Sequence, residues 1–316
     1  MELKDKIKGA LYGMALGDSL GLGTIYMTRR EIKSYYPDGL TRHNQFIRDM
    51  HRSMYHPGEW TGNTEVILRI LDPILADERI DLQHIAGSLK RWYDEGPVDL
   101  ATPYRFVIPA TGWVKDPKAV SHRTWRSNHI LDASNEALLR SLIIGIFARN
   151  NLEVADISRS LVNITHDDSR CVATTAVAAL YAKSFLNEES EPSYQTIVQF
   201  AREIDERALE FIRLAHDGDL LDFRIDDEAT WWYSRKSLGV VLWALWNCPA
   251  PSDILHTLVN AGGDTNANAS LAMMLAGLRD GYQALPDIKN DIIGKERLDD
   301  YAERLTGLVE TLRARK

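Results

Sequence analysis

Oxygen-bearing side chains concentrate in the run Ala261-Gly262-Gly263-Asp264-Thr265-Asn266-Ala267-Asn268-Ala269. Two adjacent glycines permit backbone turns that a side chain would forbid. Asp264, Asn266 and Asn268 then alternate with small residues at the head of a helical stretch. Clustered oxygens of this kind suit hard divalent cations such as Mg²⁺ or Mn²⁺. Yet Asn266 and Ala267 stand where a metal site would want a carboxylate and a hydroxyl. The run looks like a metal-binding motif that has lost part of its ligand set.

Other polar constellations sit at helix ends. Gly17-Asp18-Ser19-Leu20-Gly21 is a glycine-spaced helix end with a capping Asp. Trp60-Thr61-Gly62-Asn63-Thr64-Glu65 directly precedes an apolar helix, so Thr61, Thr64 and Glu65 form a capping cluster as readily as a ligand set. Asn135-Glu136-Ala137-Leu138-Leu139-Arg140 also starts a helix. The helix dipole favours Glu136 in a first turn, and Arg140 could turn its head to a phosphate or a carboxylate. Thr165-His166-Asp167-Asp168-Ser169-Arg170 brings two carboxylates, an imidazole and a guanidinium together. Alone, such a cluster is more often a solvated cap than a catalytic site.

The elements that must position these groups are helical. Stripes with helical spacing run through Ile7 to Leu20, Val66 to Leu75, Leu138 to Phe147, Cys171 to Phe185 and Ile197 to Leu214. They continue through Leu238 to Trp246, Leu271 to Leu278 and Leu298 to Leu312, and period-two segments are scarce. The expected fold class is all-α. The longest non-helical stretch runs from about Tyr93 to Asn128, with Pro97, Pro103, Pro109 and Pro117. A connection of that length suggests a loop or lid. Its Tyr104, Trp113, His122 and Trp125 either stack on a ring or anchor the loop to the core. Phe46 to Arg52, with Arg48, His51 and Arg52, either meets an anionic ligand or is a solvated face. Glu188 to Pro192 reads as a linker between helices, and the chain reads as one domain over residues 1–316.

Composition excludes several classes. The 316 residues are 45% hydrophobic, enough for a large core, and the net charge of -8 is dispersed. No basic stripe with interleaved aromatics exists, so a nucleic-acid partner is not expected. No run of about 18 uncharged apolar residues exists, and the N-terminus carries no signal-peptide pattern. Cys171 and Cys248 are the only cysteines and read as reduced thiols of a cytoplasmic protein.

The order of GDSLG, WTGNT, SNEALLR, THDDSR and AGGDTNANA resembles the ADP-ribosylglycohydrolase family, over Ile7 to about Pro286. The resemblance implies a single compact helical domain that cleaves ribosyl or ADP-ribosyl bonds. It also implies two divalent cations between a Trp-Thr-Asp-Asp-Thr and a Gly-Gly-Asp-Thr-Asp-Thr segment. Here Thr61 and Asp264 match family ligands, while Gly62, Asn63, Asn266 and Ala267 replace the others, and a further acidic position falls at Ile25. One carboxylate facing two dications would leave about three positive charges uncompensated in a low-dielectric cleft. A full dinuclear site is therefore not expected. The cofactor expectation is none, or one weakly bound Mg²⁺, Mn²⁺ or Ca²⁺ at Thr61, Asn63, Asp264 and Asn266.

Replacement acids sit elsewhere, Glu136 occupying a place where the family usually has glycine. Carboxylates alone can cleave a glycosidic bond, one as acid and one as base or nucleophile. Asp264 and Glu136 form the expected catalytic pair, with Asp168 in reserve. Thr61, Asn63, Asn135, Arg140, His166, Asn266 and Asn268 are the expected ligand-binding residues. The expected partner is a small ribosyl or nucleotide-like molecule, or a modified protein side chain. The alternative is a non-catalytic relative that binds such a ligand without cleaving it.

Overall fold

A computed structural model describes residues 1–127, 133–188 and 190–315. Asn128 and Glu189, the ends or members of two segments singled out above, lie outside the described residues. In chain order the helices are α1 (Leu3–Gly21), α2 (Arg29–Tyr35), α3 (Gly62–Asp77), α4 (Leu82–Asp94), α5 (Thr102–Val107) and α6 (Pro117–Ser127). Then come α7 (Ser141–Phe147), α8 (Asn151–Val162), α9 (Ser169–Asn187), α10 (Tyr194–Ile204) and α11 (Leu209–Asp217). The last are α12 (Ser234–Asn247), α13 (Pro251–Val259), α14 (Thr265–Asp280) and α15 (Lys295–Ala314). Extended pairing among the described residues amounts to isolated bridges, Met27 with Gly263 and Ser134 with Tyr233. The fold is all-α.

The chain divides into two compact units. One comprises Met1–Thr64, Glu210–Trp232 and Lys236–Thr306; the other comprises Glu65–Leu209, Tyr233–Arg235 and Gly307–Lys316.

In the first unit, α1 carries Gly9, Gly13, Gly17 and Gly21, one every four residues and hence on one helical face. A Cβ at any of them would collide with α14 or its C-terminal turn: Gly277 for Gly9, Met273 for Gly13, Ala269 for Gly17 and Asn266 for Gly21. The two helix backbones therefore lie against each other with no side chain between them. Ser270 Oγ donates to Met14 O at 2.9 Å, and Thr265 Oγ1 donates to Gly21 O at 2.8 Å, pinning the register.

In the second unit α9 is buried from Cys171 to Leu186, its polar Thr174, Thr175, Lys183 and Ser184 included. Helices α7, α8 and α10 pack on it. Gly145 of α7 lets that helix approach Ala182, where a Cβ would come within 2.8 Å of the alanine methyl.

Three expectations are corrected. The stretch from Tyr93 is not an extended loop but carries α5 and α6. Pro103 falls in the first turn of α5 and Pro117 opens α6, where the missing N–H is an orphan donor anyway. Ile197 to Leu214 is not one helix: Asp205 accepts from Arg207 N at 3.0 Å and restarts the chain as a 3₁₀ turn before α11. Leu138 to Arg140 is likewise a 3₁₀ turn, and the α-helix begins at Ser141.

Gly13→Ala should lower stability in urea unfolding by at least about 3 kcal/mol, because the obstructing atoms are backbone. Gly307→Ala, in α15 with nothing within 4 Å of its Cβ position, should instead raise stability by about 0.5 kcal/mol.

Candidate functional site

The glycine contact delivers Asp18 of α1, fully buried, to the start of α3 and to Asn266 of α14. Its Oδ1 accepts from Thr61 Oγ1 at 2.7 Å and from Asn266 Nδ2 at 3.3 Å. Its Oδ2 accepts from Thr61 N at 2.9 Å, Thr64 N at 3.0 Å and Thr64 Oγ1 at 2.7 Å. Burial pushes this carboxyl up, while the bonds from Thr61 and Thr64 oppose that push. Thr61 Oγ1 also accepts from Asn63 N at 3.3 Å and from Asn266 Nδ2 at 3.2 Å. Asn266 turns its amide N–H groups to Asp18 and Thr61, and its Oδ1 accepts from Ala267 N at 2.9 Å. Thr61 therefore both caps α3 and belongs to the polar cluster.

Divalent cations need clustered anionic oxygens whose lone pairs are available. Both Asp18 oxygens accept from the protein's own donors, and Asn266 presents N–H rather than oxygen to them. Among the described residues no three His, Cys, Asp or Glu side chains gather as a metal group would. This donor set does not fit a two-cation centre.

Asp264 occupies the N-cap position of α14, and its carbonyl accepts from Asn268 N at 3.1 Å. Gly262 and Gly263, both at positive φ (87° and 75°), set its approach, and Gly263 exchanges backbone bonds with Tyr26 and Met27. Asn268 is buried on the first turn of α14, and its Oδ1 has no hydrogen-bond partner.

The same corner holds His43, whose Nε2 lies 3.0 Å from Ser19 Oγ. Burial holds this imidazole down from 6.5 to about 4.

The second unit holds the other candidates. Asn135 is buried in the turn before Leu138. Glu136 follows it and accepts from His166 Nε2 at 3.3 Å, with the His side chain fully buried and the Glu side chain 14% exposed. Burial pushes the Glu136 carboxyl up, but hydrogen bonds from His166, from Ser134 and from the backbone together outweigh it and hold the group below its usual value. Burial also holds His166 below its usual value.

Arg140, suggested by the sequence as a ligand-facing head, is instead fully buried. Its Nη1 donates to Leu161 O at 2.6 Å and its Nη2 to Thr165 Oγ1 at 2.5 Å. The physical cause is the C-terminus of α8, whose last carbonyls lack helical donors and receive the guanidinium instead.

Asp168 caps α9 through Arg170 N at 2.8 Å and holds the Arg170 guanidinium at 2.6 Å, so this carboxylate is already engaged. Asp167 pairs with His122 at 2.5 Å. The anchoring role holds for Trp113, which is buried and donates to Ile164 O at 2.7 Å, and for Tyr104, also buried. Arg52, in the ambiguous segment, is buried too and donates to Gly23 O at 2.9 Å and Ile25 O at 2.6 Å.

Asp18, Thr61, Asn63, Asp264, Asn266 and Asn268 thus belong to the first unit, and Asn135, Glu136, Arg140, His166 and Asp168 to the second. The sequence reading passed over Asp18 as a hub and Thr165 as a link. Asp18 looked like a cap because its partners lie 43 to 248 residues away.

Asp18→Asn should cost about 3 kcal/mol in denaturant unfolding, because an amide sets its own N–H against buried donors. For His43, an unfolded pKa of 6.5 above a folded one near 4 means that the unfolded chain binds the extra proton between those values. Stability should therefore fall by up to about 3 kcal/mol as pH drops through that window, and His43→Phe should flatten the slope.

A model of the ADP-ribosylglycohydrolase family matches residues 1–315. The chain is similar to the ADP-ribosylarginine hydrolase Tri1 of Serratia proteamaculans, 26% identical over 310 residues that cover 96% of this chain and 80% of that one. It is also similar to the ADP-ribosyl-[dinitrogen reductase] glycohydrolase of Rhodospirillum rubrum, 29% identical over 108 residues, 32% of this chain and 33% of that one. A solved structure described as an ADP-ribosylglycohydrolase-related protein complex superimposes with a TM-score of 0.76 at 22% identity. It covers 98% of this chain and 99% of its own, a likeness of fold.

Proposed function

We propose a function from the family to which this chain belongs, the ADP-ribosylglycohydrolases: hydrolysis of the glycosidic bond between ADP-ribose and an acceptor side chain. The acceptor we propose first is arginine, because the relative from Serratia proteamaculans is named for that substrate. The observation that carries the catalytic assignment is the Glu136 carboxylate, 14% exposed and hydrogen-bonded at 3.3 Å by His166. Its carboxyl lies below the ordinary value, so it is an anion at neutral pH. A carboxylate in that state can take a proton from attacking water or meet the oxocarbenium-like carbon directly. Asp264 is proposed as a second reacting carboxylate, to be tested by its own variant, with Asp168 in reserve behind its Arg170 pair.

No step in this reading passes through a cation. Its support is the hydrogen-bond cage around Asp18, together with the amides at positions 63 and 266. One weakly held ion at Thr61, Asn63, Asp264 and Asn266 is the competing possibility. The proposed compartment is the cytoplasm, which suits free, buried Cys171 and Cys248. The cage also favours a second reading, since a non-catalytic ADP-ribose-binding relative would have equal use for a site that needs no metal.

The test is an ADP-ribosylarginine peptide incubated with the protein, with released ADP-ribose followed by mass spectrometry. Turnover is expected, and Glu136→Gln and Asp264→Asn should each lower kcat/KM by at least about 100-fold. Their melting midpoints should stay within about 2 °C of the parent. Saturable binding without product would establish the non-catalytic reading, and undiminished turnover in Glu136→Gln would remove that residue from the mechanism.

A further inference from the structure

We infer that His166 is a positioning residue for Glu136, its Nε2–H aimed at that carboxylate by a one-way hydrogen-bond relay that starts at Arg140 and runs through Thr165. The inference rests on the proposed reading of Glu136 as the reacting carboxylate.

The direction of the relay follows from counting protons. A guanidinium only donates. Arg140 Nη2 lies 2.5 Å from Thr165 Oγ1, so the threonine oxygen is an acceptor there. The hydroxyl then has one proton to give. Thr165 is fully buried, out of reach of solvent, and the acceptor beside it is His166 Nδ1 at 2.8 Å. Nδ1 is then the bare nitrogen, the arrangement that leaves a proton on Nε2 to meet the Glu136 carboxylate. A buried imidazole disfavours its charged form, so the ring carries its single proton on Nε2. That nitrogen faces Glu136 Oε2 at 3.3 Å. Four groups are thus linked in one order, and a neutral ring protonated at Nδ1 instead would set a bare Nε2 against the Glu136 carboxylate.

Packing fixes the ring in the same orientation. Tyr104 of α5 meets it edge-on, with centroids 5.8 Å apart and planes at 80°, and Trp125 of α6 lies 6.1 Å away at 44°. Arg140 is itself anchored to Leu161 O and Tyr104 OH, so the head of the relay cannot swing. The other titratable groups acting on Glu136 and His166 are Arg140, Tyr104 and, from the α9 side, Asp168 and Cys171, with Arg170 beside them. Arg170 is taken up by Asp168, which leaves His166 as the titratable donor that reaches Glu136, beside the Ser134 side chain. The charge balance is consistent: one buried cation at Arg140, one anion at Glu136, and a neutral imidazole between them.

This arrangement assigns His166 a role apart from ligand binding. A ring whose two nitrogens are spent on Thr165 and Glu136 has no free polar atom for a phosphate. It holds the Glu136 oxygens in one rotamer and favours their ionised form.

Nitrogen-15 NMR of histidine-labelled parent protein tests the relay without any mutation. The expected signature is the neutral tautomer protonated at Nε2, and protonation at Nδ1 would overturn the inference. The second arm follows the Glu136 carboxyl by carbon-13 NMR, alongside the pH profile of kcat/KM. His166→Leu removes the donor, so the carboxyl titration and the acidic limb should both move up by about one pH unit. His166→Gln offers an N–H at nearly the Nε2 position and should return both towards the parent. Thr165→Val, which keeps shape but cuts the relay, should move both in the same direction by less. The drop in turnover in His166→Leu should appear in kcat with KM little changed. A carboxyl titration unmoved in His166→Leu and Thr165→Val would sink the relay. An undiminished Glu136→Gln enzyme would instead sink the catalytic reading, while the tautomer result would still stand.

Discussion

Four glycines on one face of α1 let two helices touch backbone to backbone, and the chemistry of the first unit depends on that distance. With alanine at those positions α14 would have to move away, and the amide of Asn266 with it. Instead Asp18 reaches both the head of α3 and the first turn of α14 within one carboxylate's span. Dispersion and shape complementarity along the glycine face supply the adhesion. The polar bonds from Ser270 and Thr265 to α1 carbonyls set the register at which it occurs.

The two units handle buried charge in different ways. Asp18 is fully enclosed and balanced by backbone and hydroxyl donors of Thr61 and Thr64, which gather at the start of α3 where the helix dipole also favours an anion. Glu136 keeps one edge partly exposed and accepts from the His166 imidazole, with Ser134 and the backbone adding to it. The first is a structural anion with no free lone pair aimed outwards. The second retains the exposure that a reacting group needs. That contrast separates the architectural carboxylate from the one proposed to react more clearly than any motif does.

Much of this was legible in the sequence, though not evenly. The helical stripes announced α1, α9 and α14, and the order of five motifs carried the family. Proline spacing misled, because Pro103 and Pro117 begin helices rather than exclude them. Thr61 was open between cap and ligand, and in the structure one hydroxyl both accepts from Asn63 N and donates to Asp18. Arg140 offered no local sign of burial; its partners are carbonyls that exist only once α8 ends. Asp18 was hardest to see, since its role depends on residues brought in from α3 and α14. Spacing within a motif reports local geometry well and says little of what a long-range contact places against it.

We propose that protein donors around Asp18, rather than divalent cations, organise the site in the first unit. Metal content by inductively coupled plasma mass spectrometry, on protein isolated without chelator and shown to be folded, tests it most directly. The account predicts far less than about one Mg²⁺, Mn²⁺ or Ca²⁺ per chain, with no thermal shift when Mg²⁺ or Mn²⁺ is added. About two tightly held divalent ions per chain, with a melting point that rises on metal addition, would contradict it.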